Sequence, residues 1–360
     1  MTKGKNASCT TNAADTSRRD VLRKGLMMAA AGSAMVLTRK PFAQQVESFP
    51  VIETAVGKIR GQSRDGVAAF RGVRYGAPTG GASRFLPPQP PAAWKGIQDA
   101  LEVGFPAPQF NPDYPVWLDP KPGSEDCLFL NVWTPAAATA AARLPVMVWI
   151  HGGAFLWGSA GAPMYDGHHL AKTGNVVVVS INHRLNIFGY SFLGTQADDR
   201  FAASGNAGQL DLIAALQWVR DNIEQFGGDR SNVTMFGQSG GGIKINTLMA
   251  MPAARNLFHK AILQSGSGLK VKDAAAASEV ADRIYRKTGI RSGDVKALQA
   301  LSTAQLVACY KELSADGSAS REGVFLFEPV VDGVALPRQP WDPLGTRLRA
   351  EDPDDHWIDD

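Results

Sequence analysis

The sequence predicts an α/β fold, with a central, mostly parallel β-sheet carrying helices on both faces. Three observations lead there. Leu128 to Thr134, Val146 to Ile150 and Val176 to Asn182 are apolar, β-rich runs of the length and character of buried strands. Helical stretches separate the later runs, and alternation of this kind builds βαβ units. The longest such stretch, Gly208 to Phe226, carries Leu212, Leu216, Val219, Ile223 and Phe226 at intervals of three or four, and Gly227-Gly228 stops it. That stripe reads as core packing.

Along the chain, Val51 to Gly76 alternates short strands with Gly-centred turns, a small antiparallel entry. Phe85 to Pro91 reads as a Pro-rich surface run, and the low-complexity piece Ala136 to Ala142 as a surface link between two strands. Ala261 to Gln264 is the next strand signal after the central helices, and Asp273 to Leu313 is mostly helical and more polar, suited to walling one side of a pocket. No internal repeat is visible.

The first 43 residues read as an address. Ser17-Arg18-Arg19-Asp20 precedes the apolar run Gly25 to Leu37, basic Arg39-Lys40 follows, and Pro41-Phe42-Ala43 offers a cleavage site. That is the form of a twin-arginine export signal, and it implies the twin-arginine (Tat) export machinery as partner and a bacterial protein exported folded to the periplasm or medium. The apolar run is too short for a membrane span. Eight of the 37 Lys/Arg and two of the 34 Asp/Glu precede residue 44. Without them the balance is 29 basic to 32 acidic, so the +3 of the whole chain becomes −3. The basic character belongs to the signal, and nothing points to nucleic acid. Residues 44–360 suffice for one large α/β core or two domains. Of the cysteines only Cys127 and Cys309 lie beyond the signal; a bond between them stays open, as does the reading of Cys127 as a buried free thiol.

The chemistry concentrates in two places. Asn232-Val233-Thr234-Met235-Phe236 is a β-branched and aromatic run that leads directly into Gly237-Gln238-Ser239-Gly240-Gly241. Glycines flanking a serine let the chain reverse so sharply that the hydroxyl stands exposed between a strand and the helix-compatible run Ile243 to Met251. Upstream, Leu144 to Ile150 ends in His151-Gly152-Gly153-Ala154, a loop able to aim backbone N–H groups at a developing oxyanion. Other polar residues carry less. His183 sits at a strand end, His168-His169 reads as a solvated loop pair, and no cysteine or carboxylate spacing supports a metal there.

These motifs resemble the type-B carboxylesterases, the family that also holds the cholinesterases and neuroligin-like adhesion proteins. Ser124-Glu125-Asp126-Cys127-Leu128-Phe129-Leu130-Asn131-Val132, Phe70-Arg71-Gly72-Val73-Arg74-Tyr75-Gly76 and Gly205-Asn206-Ala207-Gly208-Gln209-Leu210-Asp211 add to the likeness, which runs from about Val51 to Pro343. The resemblance implies an α/β-hydrolase fold over residues 44–343 and hydrolysis of small-molecule carboxylic esters without cofactor or metal. Position by position, Ser239 matches the acyl-accepting nucleophile, and Gly153, Ala154 and Gly240 match the backbone donors of the oxyanion hole. Gly237, Gln238 and Gly241 match the elbow, and Arg84 and Glu125 a structural ion pair. Gln238 stands where the family usually has an acid; an altered pocket field and a neutral packing role are equally open. Ala107 stands where many relatives carry a cysteine paired to the Cys127 position. Glu328 to Gly333 resembles the lead-in to the next sheet strand.

In this fold the triad acid and histidine follow the serine. After Pro343 the chain reads as a polar, acidic tail, 344–360, without an apolar strand. Three readings follow. The domain is incomplete at its C-terminus and impaired by loss of acid and base; Glu351 or Asp352 with His356 substitutes for them; or the chain is a non-catalytic binding or adhesion relative. Retention of Ser239 and of the oxyanion loop argues against the last.

Overall fold

The structure, a computed structural model, describes residues 47–110, 121–194, 196–266, 268–315 and 325–341. The export segment 1–43 and the tail 344–360 lie outside these residues, so the readings made of them are not addressed by the fold.

The entry segment divides between two sheets. Strands β1 (Val51–Thr54) and β2 (Gly57–Arg60) join β5 (Ile97–Asp99) in a small three-stranded sheet. Strands β3 (Gln62–Arg64) and β4 (Val67–Arg74) form a hairpin on the edge of the main sheet. Its two-residue turn, Asp65-Gly66, has φ of 53° and 82°, the left-handed pair that matches strand twist.

The main sheet adds β6 (Phe129–Pro135), β7 (Leu144–Ile150), β8 (Val177–Ile181), β9 (Gly228–Gln238) and β10 (Lys260–Gln264), in the order β10-β9-β7-β8-β6-β4-β3. It is mixed. The first four strands in that order run parallel, and the contacts β8–β6, β6–β4 and β4–β3 are antiparallel. The parallel half is where helices supply the crossovers: α1 (His168–Gly174), then α2 (Asn186–Gly189) and α3 (Ala207–Asn222), then α4 (Gly240–Met249). The five stripe residues predicted on α3 are all buried, and a last 3₁₀ turn ends at Gly227 with φ 81°.

Beyond the sheet, α5 (Ala274–Thr288), α6 (Val295–Ala300) and α7 (Thr303–Ala315) fulfil the helical expectation for Asp273 to Leu313. Asp273 and Asp294 cap the first two through their carboxylates. Ile284, Tyr285, Leu298, Leu306 and Leu313 pack with Phe155, Ile187 and Tyr190 into a second apolar cluster beside the sheet.

Four readings need correction or closure. His168 and His169 open α1 and are not a loop pair; Asp166, which accepts from the His168 N–H, starts the turn. Phe85 is buried, with φ 66°, because its ring packs into the second apolar cluster; the surface run starts after it. Val330–Val331 (β12), within the stretch read as a lead-in to a sheet strand, pairs with β11 (Lys272–Asp273) in a ribbon of its own, and the strand it would lead to lies outside the described residues. Cys127 and Cys309 are both buried free thiols, so no bond joins them. Burial pushes both thiols up, Cys309 to about 11. The expected ion pair of Arg84 and Glu125 forms as a buried bidentate contact, both bonds 2.6 Å, and Thr303 donates to the same carboxylate.

Candidate active site

Ser239 stands between β9 and α4 with φ 53° and ψ −122°, a backbone conformation that costs a non-glycine residue energy and persists only where the surroundings impose it. They do so here. Its N–H donates to the Gln264 carbonyl of β10 at 2.8 Å, and its carbonyl accepts from Ile243 N–H at 3.2 Å. The turn closes because Gly241 leaves room. A Cβ there would overlap the Ile150 carbonyl oxygen at the end of β7, and one on Gly237 would sit 2.7 Å from the Gly241 carbonyl carbon. Ser239 is half-buried and its hydroxyl makes no hydrogen bond to a described residue.

The loop after β7 arrives at the same point. Gly153 and Ala154 follow one another with φ of 84° and 51°, which turns their N–H groups away from the strand direction. The carbonyl of Gly153 accepts from Leu156 and Trp157, and Phe155 O accepts from Asn186 N–H at 2.7 Å, so the loop is tied on its far side. A Cβ on Gly240 would collide with the Ala154 nitrogen and lie 2.6 Å from its oxygen. A Cβ on Gly152 would lie 3.8 Å from that of Ser239. The two loops named by the sequence are therefore in backbone contact: Gly240 meets Ala154, and Gly152 meets Gln238 and Ser239. Gln238 is exposed, with its side-chain oxygen over Gly152.

Three of the described histidines, His151, His183 and His259, are engaged elsewhere. His151 and His183 are buried and stacked, ring centroids 4.8 Å apart. Each directs Nδ1 at a backbone carbonyl, Gly152 O and Arg184 O, at 2.9 Å. Burial, then the nearby Lys244 ammonium, holds both well below the usual imidazole range. His259 bonds the Val233 N–H near the start of the β9–β10 pairing, away from the elbow. Among the described residues no group of three His, Cys, Asp or Glu is placed to hold a metal.

Sequence reasoning missed Lys244. It lies on α4, fully buried, and its Nζ donates to the His151 carbonyl at 3.0 Å. Burial alone brings it down to about 7. The signal was present as a lysine inside the apolar run Ile243 to Met251.

This geometry meets its relatives in the comparisons. The model of the carboxylesterase family matches residues 48–352. The chain belongs to the carboxylesterase family. It is 41% identical to the para-nitrobenzyl esterase of Bacillus subtilis (strain 168) over 294 residues, which is 81% of this chain and 58% of the relative. It is also 41% identical to a liver carboxylesterase of Sus scrofa over 327 residues, 83% of this chain and 56% of that one. Among solved structures, the Geobacillus stearothermophilus carboxylesterase EST55 superposes with a TM-score of 0.73 at 42% identity, covering 81% of this chain and 57% of the other. A thermophilic para-nitrobenzyl esterase superposes at 0.76 and 38% identity, covering 81% and 59%. The chain thus spans somewhat more than half the length of these carboxylesterases.

Proposed function

We propose that the protein is a serine carboxylesterase in which Ser239 accepts the acyl group of a small-molecule ester. The carrying observation is the contact of the Gly240 backbone with Ala154 beside a strained, accessible Ser239. Attack by Oγ on the ester carbonyl places a negative charge on the carbonyl oxygen, and the N–H groups of Gly153, Ala154 and Gly240 receive it. Each such donor is worth about 3–4 kcal/mol when removed from comparable sites. Collapse expels the alcohol, and water then releases the acid from the acyl-enzyme. These steps call for no cofactor.

The Oγ proton needs an acceptor. His151 and His183 are committed to the loop and strand ends beneath the site, and His259 stands at the far end of the strand pair. His356, Glu351 and Asp352 lie outside the described residues. The strained serine backbone favours the esterase reading over a non-catalytic binding role, which has no use for it.

The test is hydrolysis of a short-chain aryl ester, with intact-mass detection of the acyl-enzyme. Turnover and an acyl adduct, both lost in Ser239→Ala, support the assignment; a rate unchanged in Ser239→Ala removes it. For the N-terminus we propose twin-arginine export with cleavage near Ala43 and a periplasmic or secreted product. Arg18→Lys with Arg19→Lys then abolishes export, and unchanged periplasmic appearance of the double variant refutes it. No described helix is long and apolar enough to cross a membrane.

A further inference from the structure

Beneath the elbow lies a buried polar group that the acyl-transfer steps do not use. The Nζ of Lys244 donates to the carbonyl of His151, the residue that opens the oxyanion loop. Three buried acceptors in this part of the core have no partner: His151 Nε2, His183 Nε2 and the Gln209 side-chain oxygen. The Gln209 amide donates to the Lys244 carbonyl at 3.2 Å, which places α3 on the same spot. A buried ammonium is ordinarily held by a carboxylate. Here the carboxylate available from α3, Asp211, is spent on Arg184 through three hydrogen bonds.

Among the described residues, the other elements packed on α4 offer no countercharge. β7 ends in His151, β8 is followed by His183 and Arg184, and the ionisable groups of β9 and β10 (Asp229, Arg230 and Lys260) sit at the opposite ends of those strands. Arg255, beyond the C-terminus of α4, is exposed. The strong local bond left to the ammonium is the charge-assisted one to His151 O, which is worth roughly twice a neutral bond.

We propose that Lys244 is a positioning residue for the acyl-transfer site: its bond to His151 O fixes the loop bearing Gly153 and Ala154 against the first turn of α4, and its protonation sets how firmly. This rests on the esterase reading given above. His151 O leads directly into Gly152, so release of that carbonyl frees the loop at its strand end while Phe155 O still holds the far end. The distance between the Ala154 and Gly240 donors then varies, and catalysis is sensitive to displacements of that kind. The dependence falls around pH 7, where Lys244 exchanges its proton. The amine that remains at higher pH still donates, but without charge.

Hydrogen exchange of residues 151–157 at pH 6, in the wild-type chain, Lys244→Met, Lys244→Gln and Ser239→Ala, tests the clamp without reference to turnover. Lys244→Met keeps the bulk and loses the donor; Lys244→Gln restores an uncharged donor. The loop in Lys244→Met exchanges at least tenfold faster than wild type while β7 and β9 keep their protection, and Lys244→Gln recovers most of the difference. For aryl-ester turnover, kcat falls about tenfold in Lys244→Met with KM little changed, and the inflection of kcat near pH 7 is absent from Lys244→Gln. If 151–157 exchange identically in wild type and Lys244→Met, the clamp is wrong. If Ser239→Ala leaves the rate unchanged, the esterase reading fails while the exchange data still judge the clamp.

Discussion

Replacement of Lys244 by methionine should stabilise the protein at acid pH and lose that advantage as the pH rises. Lysine ordinarily titrates at 10.5, and burial brings Lys244 down to about 7. At about 1.4 kcal/mol per tenfold change in proton affinity, that difference corresponds to about 5 kcal/mol. The sign follows from proton counts. Between pH 7 and 10.5 the unfolded chain carries the proton and the folded chain does not, so folding releases it and stability grows with pH. Below about 7 both forms are charged and the whole penalty of burying the ammonium is present. Methionine removes that penalty but orphans the His151 carbonyl, at about 1–3 kcal/mol. The net gain is about 2–4 kcal/mol at pH 6. It shrinks by about 3.5 kcal/mol on going to pH 9.5, where about 1.4 kcal/mol of the penalty remains. Urea unfolding midpoints of the two proteins, taken at half-unit pH steps, measure the difference directly. The change with pH decides the matter, because the orphaned His151 carbonyl of the variant is common to both ends of the range. A constant difference from pH 6 to 9.5 means that Lys244 keeps its ordinary proton affinity and has a countercharge, and the reasoning fails.

Gly241→Ala places a Cβ on the Ile150 carbonyl with backbone on both sides; we expect at least about 3 kcal/mol of destabilisation, read as loss of soluble protein or of the urea midpoint. Glu125→Ala leaves the Arg84 guanidinium buried with only the Gln299 and Leu301 carbonyls, and should cost about 3–5 kcal/mol by the same measurement; a loss below about 1 kcal/mol shows the pair to be solvated. Cys127 and Cys309 should resist a thiol reagent until the chain is unfolded, since burial both hides the sulfurs and raises them; rapid modification of either in the native protein contradicts their placement.

The elbow was legible because its requirements are written locally. A serine held at φ 53° needs a neighbour without a side chain wherever the chain doubles back, and Gly237, Gly240 and Gly241 occupy those places. The contact with Ala154 was implied by two strand-end motifs, since strands parallel in one sheet deliver their C-terminal loops to one edge. Strand direction was legible in the parallel half, where helices alternate with strands, and in the antiparallel entry, but not where β6 joins them. An apolar run looks the same whether its neighbour is parallel or antiparallel, and the short Asp65-Gly66 link reports that β3 and β4 reverse. The pairing of β6 with β8 depends on contacts between distant segments, which no local pattern encodes.

Lys244 escaped notice for a different reason. Helix patterning assumes that a polar residue marks the solvent face. Helix α4 has little such face: it packs on β7, β9 and β10 to one side and α3 to the other, and Lys244, Asn246 and Thr247 are all buried. On a helix covered all round, polar residues report no orientation, and each must find a partner inside. Asn246 reaches the Gly268 carbonyl and Thr247 the Ile243 carbonyl one turn back. Lys244 reaches the His151 carbonyl. The first two bonds are neutral and close within their own neighbourhood. The third carries a charge to the strand end from which the 151–154 loop departs, and it is the one whose removal tests the stability and the proposed clamp of the Ser239 site together.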